Sequence, residues 1–152
     1  MSDLTLHRAP FARLPGADLY EILRLRVDVF VVEQNCPYPE LDGRDTEPGT
    51  VHLWYERGGR IASYLRILTE PGGRARIGRV CTGAAERGSG LAGELLAAAL
   101  GDLGGRTVEL AAQSHLTGFY GRYGFCPNGA EYLEDGIPHT PMVRSRDRPS
   151  AT

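Results

Sequence analysis

The stretch from residue 76 to residue 103 constrains this chain more than any other. A β-rich run over 76–82 leads to the glycine-rich Arg87-Gly88-Ser89-Gly90. Leu91, Leu95, Leu96, Ala99, Leu100 and Leu103 then fall on one stripe of 3.6-residue period, which predicts an amphipathic helix ended by Gly104-Gly105. A helix that opens on glycines leaves the N–H groups of its first turn unpaired and carries the positive end of its macrodipole there. Such a start is a cradle for phosphate, or else a glycine turn that only begins a helix. A Walker loop is excluded, because it needs a lysine and all 17 basic residues are arginine. Gly88, Gly90 and Gly93 meet the dinucleotide pattern GxGxxG. That pattern belongs to a first strand–helix turn, whereas here strands and a helix already precede the loop, and the acid at the right distance, Glu109, lies inside the next strand.

The rest of the chain reads as a strand over 4–8, a helix over 17–30 with Leu19, Ile22, Leu23 and Phe30 near helical spacing, and an irregular break at Asn35-Cys36-Pro37-Tyr38-Pro39. Runs over 51–56 and 60–68 joined by Arg57-Gly58-Gly59 predict a hairpin. A strand over 107–112, a short helix over 116–123 closed by Gly124, one or two short strands within 129–143 and a polar tail from about 144 complete the order. The expected fold class is α/β of the α+β kind: one domain over 1–152, with a mixed, mostly antiparallel sheet and helices on both faces.

A length of 152 residues suffices for one domain with its own core, and 41% hydrophobic with 24% charged residues excludes a disordered or fibrous chain. No apolar run approaches the roughly 20 residues of a membrane span, and Met1-Ser2-Asp3-Leu4 opens no signal peptide, so the expectation is a cytoplasmic protein without a membrane partner. Cys36, Cys81 and Cys126, an odd and scattered set, read as reduced thiols, and the scattered histidines give a zinc site no support. A net charge of −2 argues against a nucleic-acid partner. The distribution is more informative: six acids against Arg44 over 28–47, and seven arginines against Glu70 and Glu86 over 57–90. These are either two solvated faces, or an anionic cofactor on one side and a cationic substrate on the other.

The motif Arg87-x-x-Gly90-x-Ala92 after a strand resembles the pyrophosphate loop of the GNAT superfamily of N-acetyltransferases. Phe119-Tyr120-Gly121-Arg122-Tyr123-Gly124-Phe125 resembles its second signature, a tyrosine followed by three residues and Gly-Phe. Within the superfamily the chain looks like the ElaA-type family, through Leu25-Arg26, the run from Val29 to Glu40 with Asp42, Arg76-Ile77-Gly78-Arg79-Val80, Ala112-Gln113-Ser114-His115 and Glu134-Asp135-Gly136-Ile137-Pro138-His139. The resemblance implies acetyl-CoA as co-substrate, with no metal. Its pyrophosphate would lie on Arg87, Gly88, Ser89, Gly90, Leu91, Ala92 and Gly93, and its pantetheine arm along Val80, Cys81 and Thr82 and beside Gln113. It implies Tyr120 as the acid for the departing thiolate, a small-molecule or peptide amine as acceptor, and a homodimer as a common assembly.

Acyl transfer to an amine needs a group to take a proton from nitrogen and another to give one to sulfur. No acid stands in 76–82, where many GNAT enzymes carry a glutamate. Glu33 is the expected base, with pairing to an arginine such as Arg26 as its alternative; Glu109 reads as a base or, mid-strand, as an arginine's partner. His115 and His139 are candidates for proton relay or for contact with the acceptor. Arg79 either pairs with Glu33 or Asp42 or holds an acceptor carboxylate. Cys81 lacks an adjacent histidine to make it a nucleophile. Asp42 and Asp45 of the acidic segment, with Glu131 and Asp135, either draw a cationic acceptor, if they face the cleft, or are ordinary solvated acids. The alternative to an enzyme is an acyl-CoA-binding sensor module of the same fold.

Overall fold

Alternation on the central strands sets the layers. β2 (Val51–Arg57) and β3 (Arg60–Thr69) form the expected hairpin. On β2, Leu53 joins one apolar cluster and its neighbour Trp54 another; on β3, Leu65 and Tyr64 divide in the same way. Successive strand side chains point to opposite faces, so the sheet has two covered faces. Residues 62–68 of β3 are buried without interruption, as a strand covered on both sides must be. α1 (Gly16–Arg26) packs Ile22 against Trp54, Tyr64 and Cys81. α2 (Leu91–Leu103) buries its whole predicted stripe, and from Leu95 onward that stripe packs against Leu53, Leu65, Ile67, Ala75 and Ile77 on the other face.

The computed structural model describes residues 3–145, so the expected polar tail lies almost wholly outside the described residues. The remaining elements are β1 (Leu4–Pro10), β4 (Ala75–Thr82), β5 (Val108–Gln113), α3 (Thr117–Gly121), β6 (Cys126–Pro127), β7 (Tyr132–Glu134) and β8 (Ile137–Arg144). Among the described residues eight strands make one sheet in the order β1-β2-β3-β4-β5-β8-β6, with β7 on β8. Every pairing is antiparallel except β4 with β5. This is the expected mixed sheet between helices. Among the described residues no helix is long and apolar enough to cross a membrane.

Two departures from regular structure matter. The single helix expected over 17–30 is an α-helix only to Arg26; Val27–Glu33 is a π-helix, with Gln34 N–H donating to Val29 C=O and Cys36 N–H to Val31 C=O. Val27, Val29, Val31 and Val32 crowd a tight α-helical turn, which the wider one relieves. The second departure is a bulge in β4. Tyr64 faces Cys81 but Arg66 faces Gly78, so Arg79 and Val80 together oppose Leu65, and Arg79 takes φ +55°. β4 and β5 pair only at Ala75–Val108 and Arg76–Glu109, and beyond that point they splay.

Candidate active site

The splay between β4 and β5 opens a cleft through the molecule. On one side lies a cavity of about 490 Å³ walled by the glycine loop, the start of α2, Val80, Cys81, Thr82 and α3. On the other lies a cavity of about 310 Å³ walled by β4, the 34–44 loop and the β7–β8 hairpin. Phe30, Gln34, Val80, Gln113, Leu116 and Tyr120 line both, so the two chambers meet there. Phe30 and Gln34 reach this junction from the π turn and its end, which is what the wider turn contributes to the site.

The larger chamber has the chemistry of an extended anionic ligand's site. Gly88 and Gly90 adopt φ +85° and +80°, where a side chain would be strained, and a Cβ on either would meet nothing within 4 Å. The first N–H bond back into α2 is that of Glu94 to Gly90, so the N–H groups of Leu91, Ala92 and Gly93 have no partner within the helix. The unpaired facing edges of β4 and β5 provide main-chain groups that a chain of amides can meet, and Gln113 stands at the end of β5. Ser89 does not line the chamber; its hydroxyl donates to Glu86 C=O at 2.7 Å and braces the loop. Gly93 has a packing role besides its place in the wall, since a Cβ there would lie 2.2 Å from the Tyr123 hydroxyl oxygen.

Glu33, the expected base, is drawn to the larger chamber and away from the smaller. Both its oxygens take hydrogen bonds of 2.5 Å from the Arg87 guanidinium, whose Nε donates to Thr82 C=O at 3.1 Å. The hydrogen bonds from Arg87 hold the Glu33 carboxyl below its ordinary range. Its partner is thus an arginine, as the alternative had it, but Arg87 rather than Arg26. An exposed carboxylate already occupied by a cation, and lining the larger chamber alone, is a poor proton acceptor. His115 also lines the larger chamber only, because it sits in the short 3-10 turn Ser114–Leu116 that carries the chain past the end of β5. Glu109 pairs with Arg74 at 2.6 Å and Arg76 at 3.0 Å.

Tyr120 stands at the junction, 6% exposed, with Phe119 and Phe125 edge-on to its ring. Its hydroxyl has no hydrogen bond among the described residues, and burial pushes its pKa up to about 12. It therefore keeps its proton through neutral and mildly alkaline pH. Burial pushes the Cys81 thiol up to about 12 as well, which leaves it a neutral, inert side chain.

The smaller chamber is floored by an ion network that the sequence did not reveal. Arg26, fully buried on α1, donates to Glu40 at 2.9 Å and to Asp45 at 2.7 and 3.1 Å. Arg66 on β3 donates to Asp45 at 2.9 Å and to Asp42 at 2.9 and 2.5 Å. Arg79 closes the set on Glu40 at 2.7 Å, and lies 3.6 Å from Asp42. Arg44 pairs with Glu47 and Glu70. The acidic segment over 28–47 is thus largely neutralised from within. The expectation that it draws a cationic acceptor is corrected: Asp42 and Asp45 are committed to arginines. Burial alone would raise both carboxyls, but Arg66 and the Arg44 amide for Asp42, and Arg26 and Arg66 for Asp45, hold them below the ordinary range. Arg79, whose pairing was expected with Glu33 or Asp42, takes Glu40 first.

His139 lines the smaller chamber as expected of an acceptor-side residue. Glu134, which the sequence offers only as part of the family-like run 134–139, is positioned by the tight hairpin that Asp135-Gly136 signals. Both turn residues have positive φ, +53° and +78°, as a two-residue type I′ turn needs. Pairing of Glu134 with Ile137 and of Tyr132 with His139 puts these four side chains on one face of the hairpin, and all four line the chamber.

A cleft between splayed parallel strands, with a glycine loop at one end and a buried phenol at its centre, is the architecture of coenzyme A-dependent acyltransferases. The chain belongs to the GNAT acetyltransferase family, whose domain model matches residues 25–146. It is 39% identical over 142 residues to protein ElaA of Escherichia coli, covering 88% of this chain and 91% of that one. It is 50% identical over 135 residues to a UPF0039 protein of Mycobacterium tuberculosis, covering 86% of each. Among solved structures, an acyl-CoA N-acyltransferase from Pseudomonas aeruginosa superposes with TM-score 0.90 at 43% identity, covering 94% of this chain and 100% of the other. Escherichia coli ElaA superposes with TM-score 0.88 at 35% identity, with the same coverage. The family and the fold support acyl transfer from coenzyme A.

Proposed function

We propose that this protein is an acetyl-CoA-dependent N-acetyltransferase that moves the acetyl group to a primary amine by direct attack, with Tyr120 as general acid. The observation that carries this reading is the junction of the two chambers, where a protonated phenol stands between a phosphate-type cradle and a second, separately walled pocket. Bound acetyl-CoA would supply the acyl group as an activated thioester. The first-turn amides of α2 and the loop from Arg87 to Gly90 would hold its pyrophosphate. Val80, Cys81 and Thr82 would meet the pantetheine arm through main-chain groups, with Gln113 across the cleft. The amine, on a small molecule or a peptide, would enter the smaller chamber beside Arg79 and His139. Tyr120 would give its proton to sulfur as the C–S bond breaks. The setting would be cytoplasmic.

Calorimetric titration of acetyl-CoA, with Gly90→Glu as the comparison, tests the cradle. The wild type should bind and the variant should not, since the new carboxylate enters an anion site on a backbone that resists side chains. Equal affinity would take the loop out of the site. Thiol release from acetyl-CoA with primary amines separates an enzyme from a binding module, which would bind without turnover.

A further inference from the structure

We propose that His139, through Nε2, is the group that takes the proton from the acceptor amine, with Glu134 beside it to hold the amine's N–H. This rests on the acyltransfer reading above and names the base that reading lacks. The imidazole's Nδ1 lies 2.8 Å from Ile137 C=O. A carbonyl oxygen only accepts, so Nδ1 carries the hydrogen and Nε2 holds the lone pair. Nε2 in turn lies 3.7 Å from the Glu134 carboxylate, another acceptor. Two acceptors thus stand side by side on the chamber face of the hairpin with no hydrogen between them in the neutral form. A primary amine supplies N–H to both.

The neighbours of His139 leave it this task. Gln113 is its register partner on β5 and lines both chambers, so the hairpin and the junction with Tyr120 belong to one wall. Of the other carboxylates of this wall, Glu40 is committed to Arg26 and Arg79 and Asp42 to Arg66, while Asp135 stands in the hairpin turn, beyond the Glu134 position that pairs with the His139 strand. Tyr132 lies against the His139 ring at 6.0 Å and Glu134 beside its Nε2; the other titratable and charged groups of the same chamber are Asp135 in the turn, Tyr120 on α3, Arg76 and Arg79 on β4, Arg66 on β3, and Cys36, Tyr38, Glu40, Asp42 and Arg44 on the 34–44 loop. The His139 side chain is 12% exposed, within a pocket, while Glu134 is 55% exposed at the rim. A neutral imidazole nitrogen with its lone pair free accepts a proton from an N–H donor.

The step balances. The nitrogen lone pair forms the C–N bond as the C–S bond breaks with its electrons going to sulfur. One N–H proton passes to Nε2, and the Tyr120 hydroxyl protonates sulfur. The imidazolium proton returns through solvent to the Tyr120 phenolate, so amine and thioester become amide and thiol with no proton gained or lost.

Two measurements decide it. The first needs no turnover: 15N–1H correlation of the neutral imidazole should show the Nδ1–H tautomer, with Nε2 shifting on addition of 1,4-diaminobutane. An Nε2–H tautomer overturns the proposal. The second is acetyl transfer to butylamine, glycinamide and 1,4-diaminobutane. His139→Gln should cut kcat by about 10²-fold or more, the usual worth of general base catalysis. The expected rise of kcat with pH in the wild type should flatten in this variant, which should keep melting temperature and acetyl-CoA affinity. Glu134→Gln should raise KM for the amine with kcat retained. A His139→Gln variant that keeps its kcat and pH profile overturns the base assignment alone. A wild type that releases no thiol with any of the three amines overturns the acyltransfer reading, and this proposal with it.

Discussion

Arg79 shows what a single residue does here. An arginine at φ +55° is strained by about 1 kcal/mol or more, and two hydrogen bonds to Glu40 hold it there. The bulge it makes lies in the part of β4 that no longer pairs with β5, beside the opening of the cleft. Tyr120 depends on that opening for its access to both chambers. Replacing Tyr120 by phenylalanine keeps the ring and its aromatic contacts and deletes the acid. The expected outcome is a kcat lower by about 10²-fold or more with acetyl-CoA affinity unchanged, measured by thiol release and calorimetry. Loss of stability in step with rate would instead mark the residue as core. Glu33→Gln makes the opposite case: an exposed pair contributes little to folding, so melting temperature and kcat should hold. Acetyl-CoA should bind more tightly, because Arg87 is released toward the cradle. A kcat falling by about 10²-fold would restore Glu33 as the base.

At the scale of elements, the contact of α2 with α3 rests on the absence of a side chain at Gly93. Gly93 is buried, and a Cβ there would overlap the Tyr123 hydroxyl and approach the Phe119 ring at 3.8 Å. Gly93→Ala should therefore cost about 1–3 kcal/mol, the usual range for overpacking, despite alanine's better helix propensity. In a Tyr123→Phe background the obstructing oxygen is gone, and the same substitution should cost much less. Urea unfolding of the four proteins measures the coupling; additive effects would show that the helices do not meet there. The glycine pattern of the loop was readable from sequence as a cradle. That its third glycine also serves helix packing was not, because the partner lies 30 positions away and is set by the docking of α3.

Across the whole molecule, the 34–50 segment covers the α1 face of the sheet with charge rather than with apolar side chains. Arg26, Glu40, Asp45 and Arg66 are buried together, and His52 bridges Tyr64 at 2.7 Å and Asp45 C=O at 3.1 Å. Removing one member of such a set leaves an uncompensated buried charge, which costs about 3–5 kcal/mol. Asp45→Asn should do so at pH 7. The pH dependence follows from the depressed carboxyl pKa values of Asp42 and Asp45 in the folded state. Their contribution is fully present above the unfolded carboxylate value of about 3.9 and is lost as pH falls through the folded values. Stability of the wild type should thus drop steeply below about pH 4, and Asp45→Asn should flatten that drop. Parallel curves from urea unfolding across about pH 2–5 would show that Asp45 does not carry it.

The sequence by itself determined whatever depends on neighbours in the chain. The 3.6 period of α2 and the hairpin at Arg57-Gly58-Gly59 are local patterns, and helix and turn follow from them directly. The glycines before α2 announced a helix start with free first-turn amides, and the spacing of Tyr120 from Gly124-Phe125 marked the family. Only the tertiary structure decided which charges meet. Arg26 and Arg66 lie on different elements, and Asp45 reaches both because the loop crosses the sheet. Arg87 captures Glu33 from 54 positions away. The depth of the cleft is likewise a product of β4 leaving β5 after two paired residues, which no local pattern encodes. Charges act through space and over short range, so their partners are fixed only when the chain has folded.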